Sequence, residues 1–109
     1  MKKGMIKVSV LYPNGNDKIF NMDYYCNTHA PLVAGLLGDA LNGFTVEKGL
    51  GGAAPGSPAI YMAMGHMYFN SVEEFGKAFG PNAEKIKGDM VNFTNSPPII
   101  QVSEVMIET

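Results

Sequence analysis

Apolar residues recur along the chain with two different periods, and the alternation of these periods predicts six secondary-structure elements. Four segments are rich in β-branched, aromatic and alternating apolar residues, which is typical of strands: residues 5–12, 42–48, 59–69 and 99–107. Two segments instead place apolar side chains three or four positions apart, which is typical of helices: residues 22–38 and 71–93. The predicted order is strand, helix, strand, strand, helix, strand.

Local signals mark where the two helices begin and where they are disturbed. Asn21 is a good N-cap for the first helix, and Pro31 should kink that helix because it lacks a backbone donor. Ser71 and Glu74 form a capping box for the second helix, which Gly80 and Pro81 should interrupt. Residues 49–58 hold four glycines and two prolines and are predicted to form a loop.

The element order predicts the α+β class and the ferredoxin-like βαββαβ arrangement, a four-stranded antiparallel sheet with both helices on one face. The third strand is apolar on both faces, and His66 and Tyr68 share one face with Met62 and Met64. A strand with one solvated face alternates instead, so we expect both faces of this strand to be covered. The helices cover one face. A second copy of the chain is the simplest cover for the other, which predicts a homodimer packed sheet to sheet.

Composition narrows the class of protein further. The 109 residues are 46% apolar, enough for one domain spanning residues 1–109. The net charge is −2, arginine is absent and the eight lysines are scattered, so neither nucleic-acid binding nor an electrostatic membrane contact is expected. No segment is long enough to cross a bilayer or resembles a signal peptide, and Cys26 is the single cysteine. We therefore expect a cytoplasmic protein in which Cys26 is buried and inert.

Two stretches of the chain resemble the signature of the EthD-like family. The first contains Asp23-Tyr24-Tyr25 and His29-Ala30-Pro31-Leu32, and the second runs from Phe79-Gly80 through Asp89 to Asn92-Phe93-Thr94-Asn95. The resemblance implies a dimeric α/β barrel, in which two ferredoxin-like sheets close around a central space. The wider superfamily includes monooxygenases, isomerases, polyketide cyclases and haem-dependent enzymes, and the family name refers to degradation of ethyl tert-butyl ether. The resemblance thus also implies an oxidoreductase association.

His29 and Tyr25 are the candidate catalytic residues. They lie one helical turn apart on an apolar stripe that Leu32, Val33 and Leu36 continue. A buried imidazole there can act as a general acid or base on a small carbonyl or enol substrate, with Tyr25 orienting it or bonding the substrate oxygen. The alternative is a structural histidine bonded to a backbone carbonyl near Pro31.

Several further residues are candidates for lining a substrate pocket, and each has a structural alternative. Asp23 favours the helix dipole, and six positions separate it from His29, so we expect no direct pair. His66 lines either a pocket or the core, and the methionines either line a cavity or fill gaps in the core. Asn92 and Thr94 either cap the last helix or form a pocket rim. The full set of pocket candidates is Asp23, Met62, Met64, His66, Tyr68, Asn92 and Thr94.

These features favour a cofactor-independent enzyme that acts on a small apolar organic molecule by proton transfer at His29. Two histidines in separate elements make a weak ligand set, so no metal is expected, and nothing singles out haem. The alternatives are a non-catalytic ligand carrier or accessory protein of an oxygenase or degradation pathway, and a structural module whose sheet pairs with a different protein.

Overall fold

Four antiparallel strands form one sheet in the computed structural model, which describes residues 2–109. The strands are β1 (Ile6–Pro13), β2 (Gly43–Lys48), β3 (Tyr61–Phe69) and β4 (Ile99–Glu104). Their order across the sheet is β2-β3-β1-β4, and every adjacent pair is antiparallel. The predicted ferredoxin-like α+β fold is confirmed, with β4 ending three residues earlier than expected.

Each predicted helix is a series of short helical pieces. The first consists of α1 (Met22–Tyr24), a π-helical turn (Tyr25–His29), α2 (Ala30–Leu37) and a 3-10 turn (Gly38–Ala40). The second consists of α3 (Val72–Phe79), a 3-10 turn (Gly80–Asn82), α4 (Ala83–Gly88) and a 3-10 turn (Met90–Asn92). The break after α3 occurs at Gly80 and Pro81, as the sequence predicts, because proline removes a helical donor.

Both predicted N-caps are present. The Asn21 side chain accepts a hydrogen bond from the backbone amide of Tyr24 at 3.0 Å. The Ser71 hydroxyl accepts one from the amide of Glu74 at 3.1 Å. Each cap satisfies a backbone donor that the helix itself leaves unpaired, which fixes where α1 and α3 begin.

The disturbance expected near Pro31 takes the form of a π-helical turn that ends at His29, two residues before the proline. The backbone amide of Ala30 donates to the carbonyl of Tyr25, one residue further back than in an α-helix. Both Tyr25 and His29 lie in this turn and are only 3% exposed. The widened turn thus presents both candidate residues to the sheet.

The main core lies between the helices and one face of the sheet. Its buried residues come from β1, β3, α2 and α4: Val8, Val33, Leu37, Met67, Phe69 and Ile86. A second cluster around Tyr12, Tyr25, Ala63 and Phe93 lies toward the other end of the sheet. Leu32 was expected on the buried stripe of the first helix, but it is 37% exposed, because that stripe is completed by Val33 and Leu37 instead.

The two faces of β3 have different environments. Ala63, Gly65, Met67 and Phe69 are buried under the helices. The alternate residues are only partly buried and lie on the opposite face, here called the open face: Met62, Met64, His66 and Tyr68. His66 is therefore not a core histidine.

Candidate active site

His29 is held by a carboxylate from the distant second helical region. Its Nδ1 lies 2.9 Å from Oδ2 of Asp89, the residue that follows α4. The side chains are only 4% and 13% exposed. The hydrogen-bond partner is thus a side-chain carboxylate, not the backbone carbonyl that a purely structural histidine near Pro31 was expected to use.

Asp89 in turn receives two more hydrogen bonds on its other oxygen. The Tyr24 hydroxyl donates to Oδ1 at 2.7 Å, and the Asn92 side-chain amide donates to the same atom at 2.9 Å. Partial burial raises the pKa of Asp89, but the hydrogen bonds from Tyr24, Asn92 and His29 outweigh it and hold the pKa below its usual value. Asp89 is therefore ionised at neutral pH.

A small cavity lies between the sheet and the helices, and His29, Tyr25 and Tyr12 all line it. The rest of its wall is largely apolar, with Lys87 as the one ammonium side chain among Val10, Val33, Phe44, Met67, Phe79, Ile86, Met90, Pro98 and Ile100. The space open to the centre of a water molecule is about 50 Å³. Since roughly 10–15 Å³ on this measure holds one water, the cavity admits a few waters or one small molecule.

The two tyrosines remain neutral phenols in this cavity. Burial raises the pKa of Tyr25 to about 12, and burial together with the neighbouring Tyr25 raises the pKa of Tyr12 well above its usual value. The rings meet edge to face, with centroids 5.9 Å apart. A neutral phenol keeps its proton at pH 7 and can donate it in a hydrogen bond to a ligand oxygen.

Gly65 makes room for the hydroxyl of Tyr25. A Cβ atom at position 65 would lie 2.7 Å from that oxygen, closer than such atoms approach in proteins. The absence of a side chain in the middle of β3 therefore allows the Tyr25 hydroxyl to lie against the strand. No pattern in the sequence linked this glycine to Tyr25.

Three of the other pocket candidates lie in or near the first and last helical regions. Asn92 binds Asp89 and so belongs to the site. Asp23 is exposed in the first turn of α1 and does not line the cavity. Thr94 is buried, and its hydroxyl donates to the carbonyl of Ile19 at 2.7 Å, which fixes the loop before α1.

The four remaining candidates are those of the open face of β3, and none of them lines the cavity of His29: Met62, Met64, His66 and Tyr68. His66 lies 2.9 Å from the Ser9 hydroxyl through Nδ1 and 2.9 Å from Glu47 through Nε2. Burial lowers the pKa of His66, although the neighbouring Glu47 acts in the opposite direction. This polar group is therefore separate from the candidate site.

The sequence did not predict Asp89 or Tyr12 as parts of the site. Asp89 and His29 are 60 positions apart, so no local spacing connects them. Tyr12 was assigned only to a strand. The resemblance to EthD-like proteins included Asp89 in its second stretch, which was the one available signal. Cys26 was expected to be buried, but it is exposed, since it lies on the outer side of the π-helical turn.

Two further observations concern the part of the chain that is described. Residues 2–109 contain no group of three or more His, Cys, Asp or Glu side chains arranged to hold a metal ion. Within the same residues, no helix has the length and apolar character needed to span a membrane.

Comparison with known proteins gives a consistent result. The model of the EthD domain family matches residues 17–97. An EthD-like protein from Ralstonia eutropha JMP134 is 42% identical, with 99% of this chain and 97% of that chain covered and a TM-score of 0.92. A search of curated protein sequences gives no match.

Two more distant structures share the fold. An ethyl tert-butyl ether degradation (EthD) family protein from Bacillus halodurans C-125 is 22% identical, with 94% and 99% of the two chains covered and a TM-score of 0.71. A dimeric protein of unknown function with a ferredoxin-like fold, from Bacteroides fragilis NCTC 9343, is 12% identical, with 95% and 99% covered and a TM-score of 0.51.

Proposed function

Since the chain belongs to the EthD domain family, we propose that it is a cofactor-independent enzyme that acts on a small apolar organic molecule by proton transfer. The observation that carries this proposal is that His29 lines a largely apolar cavity while the partly buried carboxylate of Asp89 binds its Nδ1. Perturbed or paired titratable groups in such a cavity are typical of catalytic sites. Proton transfer of this kind includes isomerisation, cyclisation and cofactor-free oxygenation, the last being an oxidoreductase reaction.

The geometry gives the two candidate residues distinct roles. His29 is bonded to Asp89 through Nδ1, so Nε2 remains to take a proton from a carbon next to a carbonyl group. The hydroxyl of Tyr25 donates a hydrogen bond to the substrate oxygen, where negative charge develops as the proton leaves. The apolar wall excludes water and so strengthens both interactions.

The test of this reaction is exchange of carbon-bound protons for solvent deuterium in a panel of small ketones, followed by NMR. The Tyr25→Phe variant should exchange about 100-fold more slowly than wild type, which is the usual effect of losing one donor to a developing oxyanion. Tyr68→Phe is the matched control, because Tyr68 lies on the open face. Equal rates in wild type and Tyr25→Phe would remove Tyr25 from the reaction.

The alternative function is a ligand carrier or an accessory protein, and the nearly continuous apolar wall of the cavity favours it. Such a wall binds an apolar molecule through burial of surface alone and needs no chemistry. Binding of panel compounds, detected by ligand NMR, without any deuterium exchange would support the carrier and contradict the enzyme.

We also propose that the protein is a homodimer whose two open faces pack together. Ile99 of the edge strand β4 lies on the open face and is 52% exposed, and Ile107 of the C-terminal segment is 81% exposed. Exposed apolar surface of this extent is typical of interaction sites. The structural neighbour from Bacteroides fragilis is dimeric, and it shares the fold with this chain.

Charge placed on the open face should separate the two copies. Met64→Glu is expected to shift the sedimentation coefficient at micromolar concentration from dimer to monomer, because position 64 pairs with Glu47 of β2 and a second carboxylate there buries unpaired charge on association. Val91→Glu is the control, since Val91 is 82% exposed in the 3-10 turn Met90–Asn92 and does not belong to the sheet. A wild-type chain that sediments as a monomer would contradict this assembly.

A further inference from the structure

We propose that Asp89 is a positioning residue that fixes the tautomer of His29, and thereby decides which ring nitrogen acts on the substrate. The inference rests on the proposed role of His29 as a base and extends it to a residue that does not touch the cavity. The geometry behind it is the chain of hydrogen bonds from Tyr24 and Asn92 through Asp89 to His29.

The first step concerns the proton on His29. An ionised carboxylate only accepts hydrogen bonds, so a neutral imidazole bonded to it through Nδ1 must carry its proton there. Nε2 then has a free lone pair and can accept a proton in the cavity. The opposite tautomer would leave Nδ1 facing Oδ2 with two lone pairs 2.9 Å apart, which is repulsive.

The second step concerns the orientation of Asp89. Tyr24 and Asn92 both donate to Oδ1, so that oxygen is occupied and Oδ2 is the one presented to His29. The ring of Phe93 contacts His29 with centroids 4.5 Å apart and lies beside Tyr24 with centroids 6.3 Å apart. The imidazole plane is therefore held from one side by a hydrogen bond and from another by packing.

The third step concerns charge. When Nε2 takes a proton from substrate, His29 becomes a cation in a largely apolar cavity. The adjacent Asp89 carboxylate compensates that charge without itself accepting the proton, and it does so from outside the cavity, where it does not contact the substrate.

The Asp89→Asn variant tests this arrangement because the two donors on Oδ1 dictate how the new amide is oriented. Its carbonyl oxygen should take the place of Oδ1, where it accepts from Tyr24 and Asn92. Its NH₂ group then donates toward Nδ1 of His29, so Nδ1 must accept this hydrogen bond with its lone pair. The substitution is thus expected to move the proton of His29 from Nδ1 to Nε2.

The measurement is 15N NMR of the histidine ring in protein without substrate, at a pH where His29 is neutral. We expect the Nδ1–H tautomer in wild type, the Nε2–H tautomer in Asp89→Asn, and the wild-type spectrum in the control Asp39→Asn, whose exposed acid lies in the 3-10 turn after α2. For any substrate found, kcat of Asp89→Asn should fall about 10²- to 10⁴-fold with little change in KM, because the wrong tautomer leaves no free lone pair on Nε2 to act as the base.

Two results would overturn the inference: an Nε2–H tautomer in wild type, or an unchanged Nδ1–H tautomer in folded Asp89→Asn. If Asp89→Asn does not fold, the wild-type spectrum decides alone, and Asp89→Glu should retain the Nδ1–H tautomer. Because the spectra need no substrate, their outcome is independent of the proposed reaction. If folded Asp89→Asn loses deuterium exchange but keeps the Nδ1–H tautomer, only the positioning role of Asp89 is refuted, and the proposed role of His29 as the base is not.

Discussion

Replacement of His29 by glutamine is expected to lower kcat for proton exchange by about 10²- to 10⁴-fold, the usual contribution of a positioned general base. Glutamine has a similar length, and its amide can still donate to the Asp89 carboxylate, so Asp89 keeps a hydrogen bond from position 29. It cannot take up a proton at neutral pH. The expected loss therefore falls on the chemical step, while KM changes little because the apolar wall remains.

The matched control is His66→Gln, which replaces the second histidine of the chain on the open face of β3. It should retain the wild-type exchange rate, since His66 does not line the cavity. The far-ultraviolet circular dichroism of both variants establishes that they fold. Folded His29→Gln protein with an unchanged exchange rate would show that His29 is not the base.

Replacement of Phe69 by alanine is expected to lower the free energy of unfolding by about 3–5 kcal/mol, the usual range for a buried phenylalanine. Phe69 is 0% exposed and ends β3, where its ring packs against Phe75 of α3 with centroids 5.1 Å apart. It therefore joins the sheet to the second helical region. Loss of the ring leaves a cavity that neighbouring backbone from two elements cannot fill.

The measurement is urea-induced unfolding followed by circular dichroism, with all variants at the same protein concentration because association adds to apparent stability. Leu50→Ala is the control, since Leu50 is 93% exposed in the loop between β2 and β3 and should change stability by less than about 0.5 kcal/mol. A loss below about 1 kcal/mol for Phe69→Ala would contradict the packing described here.

Sequence reasoning succeeded where a feature depends on neighbours in the chain. The capping side chains of Asn21 and Ser71 act on amides three positions away, so the starts of α1 and α3 could be predicted. The disturbance at Pro31 was predictable for the same reason, although its π-helical form was not. The exposed position of Leu32 was missed because helical spacing gives the width of a buried stripe only approximately.

For the candidate site, the sequence predicted contacts within one helix but not contacts between distant elements. Helical spacing placed Tyr25 and His29 on one buried face, and both do line the cavity. Spacing could not say that Asp89 binds His29, that Gly65 receives the Tyr25 hydroxyl, or that His66 lies on the opposite side of the sheet from His29.

By itself, the sequence determined the element order, the antiparallel ferredoxin-like sheet and the turn in which Tyr25 and His29 lie, because period, caps and proline act over a few residues. Tertiary structure alone decided the surroundings of His29. Strand pairing and packing of α4 bring Asp89 within 2.9 Å of a residue 60 positions away, and no local preference encodes a contact of that separation.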